Sequence, residues 1–279
     1  MQNLDDVMTK QIDLPSAPVV IHQLTMLMTQ EKVGNHEIAR IVETDQALTA
    51  RTLKLVNSPF YGFARQITSV EEAITMLGMN TLQQLLLATS VLSNLGTDSS
   101  ALSMNDFWMH SFSVGVLTKH LLKDNDPNAR NEAFMCGVLH DIGRLLFVKM
   151  DIERYSRFYN AGTSVIDLDK EAQWFGKNHQ QVGQELAQKW NFPTSFTTAI
   201  AYHHNPDDAP TSQALVAAIH IADLSCHALN LGQSGNQYVS SFSPSAWHLL
   251  GLGRESYKKN LERAFKEINE VESMINNMK

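Results

Sequence analysis

The chain has 279 residues, 43% of them hydrophobic and 18% charged, which is ordinary globular composition with room for one large core or two modest ones. Twenty-nine acidic residues against 22 basic ones give a formal charge of -7, and the longest basic cluster is the pair Lys258–Lys259. Such a surface repels phosphate backbones and anionic lipid, which argues against nucleic acid and a membrane as partners.

Only Cys136 and Cys226 are present, each inside an apolar run, and two isolated thiols fit a reducing compartment better than a disulfide framework. The start, Met-Gln-Asn-Leu-Asp-Asp, lacks a basic segment followed by an apolar block. No stretch approaches the roughly 18 continuous apolar residues of a membrane span. The expected location is the cytoplasm.

In chain order the pattern is helical nearly throughout. Pro15 and Pro18 precede a helix expected over Val19 to about Thr29. From His36 to Val56, Ile38, Ile41, Val42, Leu48, Leu53 and Leu55 keep mostly helical spacing, and Pro59 ends that run. Ser69-Val-Glu-Glu72 reads as a capping box whose serine takes an orphan amide while the glutamate reaches back, opening a helix that stops at Gly78. Another helix runs from Thr81 to about Leu95. The small, polar stretch Gly96 to Ser103 is the candidate boundary between an N-terminal unit, 1–97, and a second unit, 98–279. Beyond it helices are expected near 104–123, 131–150, 151–161, 179–190, 194–204, 212–229 and 255–278. Leu231 to Ser245, rich in Gly and Ser, reads as the least structured part of the second half. Alternation of apolar and polar residues is scarce, so the expected fold class is all-α with no sizeable sheet.

Several titratable residues sit where a core would not ask for them. His140-Asp141 follows an apolar helix and precedes Ile-Gly-Arg144. Neighbours on a helix point about 100° apart, so the pair grips one ion only if both side chains curl to a shared point. Imidazole with carboxylate suits a transition metal such as Mn, Fe, Ni or Zn. His110 lies on the apolar stripe Phe107, Val114, Leu117, Leu121, where it is either a ligand or a satisfied core histidine. Asp223 sits mid-helix beside Leu215, Ile219, Ala222 and Cys226; a carboxylate near a buried face requires a partner or a cation. It also shares a polar face with His220 and His227. His179 opens a helix, and His203-His204 closes one before Pro206; one of those two is expected to face solvent. For His140-Asp141 the alternative is a structural pair, and for Arg144 a surface or salt-bridge residue.

The order His110, His140-Asp141, Asp223 resembles the metal set of the HD phosphohydrolase superfamily, and His179 with His203 or His204 resembles the extra histidines of its binuclear HD-GYP branch. The closer resemblance, over nearly the whole chain, is to the HDOD (HD-related output domain) family. It is carried by Leu14-Pro-Ser-Ala-Pro18, Ile41-Val-Glu-Thr-Asp45-Gln-Ala-Leu48-Thr-Ala-Arg51, Leu55-Val-Asn57-Ser58, Ile67-Thr-Ser69-Val-Glu-Glu-Ala73-Ile74 and Leu77-Gly78. It resumes at Phe107-Trp108-Met-His110-Ser111, Gly137-Val-Leu139-His140-Asp141-Ile142-Gly143, His179-Gln-Gln-Val-Gly183, Trp190-Asn191-Phe-Pro193 and Tyr202-His203-His204. The Gly-Tyr-Pro signature of the cyclic-dinucleotide enzymes is missing, Arg144 stands where the hydrolases usually have lysine, and Gln46 stands where relatives often have proline.

The resemblance implies a two-lobed helical bundle, an N-terminal lobe on an HD-like lobe, and a bacterial signalling role. It implies one or two divalent ions (Mn, Fe, Ni or Zn) on His110, His140, Asp141, Asp223 and on His179 with His203 or His204. The expected partner is a signalling protein or a small phosphorylated ligand. The alternative is a metal-dependent phosphohydrolase in which Asp141 and Arg144 act in catalysis. Tyr257, Leu261, Ala264, Ile268, Val271, Ile275 and Met278 alternate by four and three, a seam of about three heptads that either joins a homodimer or lies along its own domain.

Overall fold

The structure, a computed structural model, describes residues 34–57, 61–95, 102–122, 127–161, 168–234 and 241–276, together with Leu14, Pro18, Val19, His22 and Gln23. Most of the helix expected over 19–29, the stop at Pro59, the boundary stretch 96–101 and Met278 lie outside the described residues. Among the described residues there is no strand, and the all-α expectation holds.

The first helices are short and closely spaced: α1 (Asn35–Glu43), α2 (Gln46–Val56), α3 (Val70–Leu77) and α4 (Met79–Leu95). The single run expected over 36–56 is therefore two helices. Asp45 breaks it, taking an extended backbone and accepting the amide of Leu48 with its carboxylate, because aspartate satisfies an orphan helix-start donor better than it tolerates a helix interior. Ser69 caps α3 as expected, accepting from the Glu72 amide at 3.1 Å. Glu72 reaches back one residue further than a capping box requires, to the Thr68 amide at 2.9 Å.

The remaining helices build the second part: α5 (Met104–Leu121), α6 (Pro127–Leu139), α7 (Ile142–Met150), α8 (Ile152–Asn160), α9 (Leu168–Phe175), α10 (His179–Lys189), α11 (Thr194–Tyr202), α12 (Gln213–Ala228), α13 (Pro244–Leu249) and α14 (Arg254–Asn276). The helix expected over 131–150 is broken at His140-Asp141, so the pair occupies a turn. Helix α9 and the short α13 were not expected from the pattern.

Helix α5 is the axis of this part, since it is buried on every side from Phe107 to Thr118 apart from Met109. A helix apolar all round belongs in the interior, and α6, α12 and α14 pack around it. The α5–α6 crossing is set by glycine: a Cβ on Gly137 would stand 2.6 Å from the Gly115 Cα. Buried apolar side chains from Ile38 to Ile268 form one continuous core.

Helix α14 lies along α5. Ala264 and Ile268 are buried, Lys119 and His120 reach Glu267 at 3.1 and 2.8 Å, and Tyr257 Oη meets Ser225 Oγ at 2.6 Å. This stretch of the heptad-like seam is occupied within the chain. Among the described residues no helix is long and apolar enough to cross a membrane.

Candidate metal centre

Five separate pieces of backbone deliver the polar side chains that the second part buries. Helix α5 contributes His110, the α6–α7 turn His140 and Asp141, the start of α10 His179, the end of α11 His203 and His204, and α12 Asp223. His110, His140, His179 and His203 are fully buried, and Asp141 and Asp223 are at most 1% exposed. The expected outward-facing member of the His203-His204 pair does not exist: the His204 side chain is only 6% exposed.

Local geometry explains the convergence. Gly143, two residues after Asp141, lies against the backbone that carries His179, and a Cβ there would stand 1.9 Å from the His179 carbonyl oxygen. Only glycine lets α7 and the start of α10 approach this closely. On the other side of the contact, a Cβ on Gly183 would come within 3.2 Å of the Gly143 amide. Asn178 and Gln181 form a full capping box on α10, which fixes the helix start and with it His179.

All four residues of the basic expected set are linked. His110 Nε2 is 3.0 Å from Asp223 Oδ1, His140 Nε2 is 3.6 Å from the same oxygen, and His140 Nε2 is 3.5 Å from Asp141 Oδ2. The other histidines gather on the opposite oxygen of Asp141, with His179 Nε2 at 3.3 Å and His203 Nε2 at 3.5 Å. His204 Nε2 is 3.1 Å from His179 Nε2.

The protonation pattern follows from the partners. His140 Nδ1 sits 2.7 Å from the Gly137 carbonyl and His203 Nδ1 2.9 Å from that of Ile200. A carbonyl can only accept, so each Nδ1 carries the proton. His179 Nδ1 likewise faces the Glu171 carboxylate at 2.5 Å. In the neutral rings all three Nε2 atoms then present lone pairs inward. Two of them, on His179 and His203, face each other at 3.3 Å.

Lone pair against lone pair beside a carboxylate is unfavourable unless a proton or a cation lies between them. Several buried polar atoms here have ionisable neighbours at 3.2–3.9 Å but no well-formed hydrogen bond: His140 Nε2, both Asp141 oxygens and Asp223 Oδ2. Imidazoles whose outer nitrogens are anchored on carbonyls or a carboxylate, with the inner ones converging, match the way proteins orient histidine toward transition metals. The donor set fits such an ion. Two groupings bring candidate ligand atoms within 4.8 Å of one another here: Asp141, His179, His203, His204, and His110, His140, Asp141.

Apart from His140, the electrostatics keep the shifted groups in ligand form. Burial, helped by the neighbouring His227, lowers His110 to about 4, and burial lowers His203 to about 4 against the pull of Asp141. His204 is driven well below its ordinary value by burial and by His203. Burial would raise both aspartates, but Arg144 and His140 hold Asp141 well below the carboxylate range, and His227 and His110 do the same for Asp223. His140 goes up, because Asp141 and Asp223 outweigh its burial.

Arg144 is 1% exposed. Its Nε lies 3.2 Å from Asp141 Oδ1 and its Nη1 3.1 Å from Glu171 Oε1. Glu171, on the unexpected helix α9, is the residue sequence reasoning missed: it accepts from the His179 amide at 2.9 Å as well as from the ring, and so ties Arg144 to His179. His220, which shares a helix face with Asp223 in the sequence, turns elsewhere and bridges the His203 carbonyl and the Ser243 amide at 2.8 and 3.0 Å. His227 does join the cluster, 3.2 Å from Asp223 Oδ1.

The all-helical fold and the buried His/Asp cluster on a His-Asp turn agree with the HD-related resemblance of the sequence. The HDOD domain model matches residues 14–206, and the chain belongs to that family. An uncharacterised protein of Treponema pallidum (strain Nichols) is 25% identical over 226 residues, 78% of this chain; the chain spans only 43% of that relative's length. The crystal structure of an HDOD domain protein of unknown function from Geobacter sulfurreducens superposes with a TM-score of 0.79 at 24% identity, covering 99% of this chain and 97% of that one. A candidate phosphohydrolase of Shewanella amazonensis SB2B gives 0.76 at 23% identity over 99% and 98%. A candidate signal-transduction protein of Marinobacter aquaeolei VT8 gives 0.77 at 19% over all of this chain and 62% of that one. At these identities the structural likeness is one of fold.

Proposed function

We propose that the chain is a regulatory protein whose HD-type pocket holds a divalent transition metal (Mn, Fe, Ni or Zn) as part of a folded platform, and that it acts by binding a signalling protein or a small phosphorylated ligand. The basic ligand set is His110, His140, Asp141 and Asp223, with His179, His203 and His204 adjoining it. Convergent lone pairs, with Asp141 and Asp223 oxygens that make no well-formed hydrogen bond, support the metal. The observation that carries the non-catalytic reading is Arg144. A cation able to steady a phosphoryl group is instead enclosed and held by Asp141 and Glu171, and a residue 1% exposed cannot meet a substrate without rearrangement. The N-terminal unit, 1–97, is the proposed partner-contacting lobe.

The second reading, a metal-dependent phosphohydrolase, is favoured by the His110–His140–Asp141 grouping. When bound, a divalent ion would lower the pKa of a water and polarise a phosphoryl oxygen. In that reading Asp141 holds the ion, and Arg144 must leave Glu171 to face phosphate.

The two readings separate in one assay. Metal-reconstituted protein is offered simple phosphoesters and cyclic dinucleotides, and no turnover near the ordinary enzymatic scale of about 1 per second is expected. Turnover at that scale, abolished by Asp141→Ala, would establish the hydrolase instead.

A further inference from the structure

Helix α12 carries more than the single carboxylate assigned to the pocket. Asp223 and His227 are four residues apart and so share one face of the helix. That face meets His110 on α5. Asp223 Oδ1 lies 3.0 Å from His110 Nε2 and 3.2 Å from His227 Nε2. The two imidazole rings lie 4.2 Å apart at 31°. The His227 side chain is 4% exposed, and candidate ligand atoms of His110, Asp223 and His227 lie within 4.8 Å of one another.

This trio shares no residue with the grouping of Asp141, His179, His203 and His204, and it shares His110 with the grouping of His110, His140 and Asp141. Buried atoms beside it lack hydrogen-bond partners: Asp223 Oδ2, His110 Nδ1 and His140 Nε2, the last directed at Asp223 Oδ1 from 3.6 Å. A simple hydrogen-bonding role for His110 and His227, both donating to Asp223 Oδ1, leaves Asp223 Oδ2 and His140 Nε2 unanswered in the interior, where an unmade hydrogen bond costs about 1–3 kcal/mol.

The geometry points to His227 as a metal ligand: Asp223 and His227 form a helix-borne chelating pair which, with His110, holds an ion of its own beside the Asp141 centre. One carboxylate and two imidazoles select a borderline transition ion such as Zn, Mn, Fe or Ni over calcium or magnesium. This rests on the metal-binding reading above and divides its ligands between two centres, His110 and Asp223 going with His227, and Asp141 with His179, His203 and His204.

The test uses the full-length chain, stripped with chelator and titrated with Zn(II) or Co(II), with circular dichroism as the folding control. Wild type is expected to take up two ions per chain. His227→Gln retains an N–H that can donate to Asp223, so a hydrogen-bonding role would survive the change. Ligation would not, and one of the two sites should weaken at least about tenfold, the scale on which even supporting residues of metal sites act. His227→Cys, loaded with Co(II), should gain a thiolate-to-cobalt absorption band that wild type, with Cys136 and Cys226 both intact, does not show. Two strong sites in folded His227→Gln, or no new band in folded, cobalt-loaded His227→Cys, overturn the inference while leaving the pocket as a metal site. A wild type that binds no ion overturns both.

Discussion

The helices before residue 96 and those after residue 102 bury different chemistry. Among the described side chains of α1 to α4 the buried polar residues are Thr52, Thr89 and Ser90, with Arg51 burying its Nε, and Thr89 returns its Oγ1 to a carbonyl of its own helix. The second part buries His110, His140, Asp141, Arg144, Glu171, His179, His203, His220 and Asp223. The first set of helices buries mainly apolar side chains, with Asn57 tying the end of α2 to the Ile67 backbone. The second holds charges that are costly to desolvate singly and are tolerated only as a mutually compensating group. Departures of this kind from an apolar core concentrate where a protein has a task besides folding.

That contrast can be broken from either side. The largest effect is expected for Asp141→Ala, which removes a proposed ligand and leaves Arg144 with Glu171 as its remaining carboxylate: denaturant unfolding should show a loss of about 3–5 kcal/mol, as when a buried pair is broken, together with loss of ion binding. On the other side, Leu86→Ala deletes a fully buried side chain of α4 and should cost about 2–5 kcal/mol while metal affinity measured by titration stays at the wild-type value. A change in affinity there would show that the two parts are energetically one.

Acid sharpens the comparison. His110 and His203, both lowered to about 4, and His204, lowered well below its ordinary value, are neutral in the fold yet protonate near 6.5 once unfolded. Their contribution is complete above about pH 6.5 and is lost as pH falls toward 4, with an upper bound of about 3 kcal/mol for each of the two rings at about 4. His140, raised, acts above this window: its contribution is complete below about pH 6.5 and is lost as pH rises, so it does not offset the loss on the acid side. Chelator-treated protein should therefore lose stability between about pH 6.5 and 4, as followed by thermal melts. The smallest effect is expected at the α5–α14 contact. Glu267→Gln weakens ion pairs to Lys119 and His120 at a site about one-third exposed, and its stability cost should stay below about 1 kcal/mol with ion binding unchanged.

Much of the second part was legible in the sequence because its signals are local. Apolar residues at helical spacing marked α5 and α12, and a histidine or aspartate on such a stripe stood out as a residue needing a reason. Family resemblance supplied the order in which His110, His140, Asp141 and Asp223 should meet. What escaped were features defined by contacts rather than by period. The breaks at Asp45 and at His140-Asp141 leave the apolar spacing intact, so periodicity runs straight through them. Helix α9 is only eight residues long and mostly polar, and Glu171 gains its meaning from Arg144 and His179, 27 and 8 residues away. The inward turn of both His203 and His204 depends on how α11 ends against α10 and α12, and no spacing rule encodes it. His227 was visible as a neighbour of Asp223 on a polar face, but its approach to His110 comes from the packing of α12 on α5.

The most direct test of the central claim is X-ray absorption on folded, full-length protein reconstituted in turn with Mn, Fe, Ni and Zn after chelator treatment. The expected result is at least one bound ion per chain for one of these metals, with a first shell of imidazole nitrogen and carboxylate oxygen that loses imidazole in a His140→Ala variant. Sub-stoichiometric uptake of all four metals by well-folded protein would contradict it, leaving the cluster as a buried hydrogen-bonded network inside a helical scaffold.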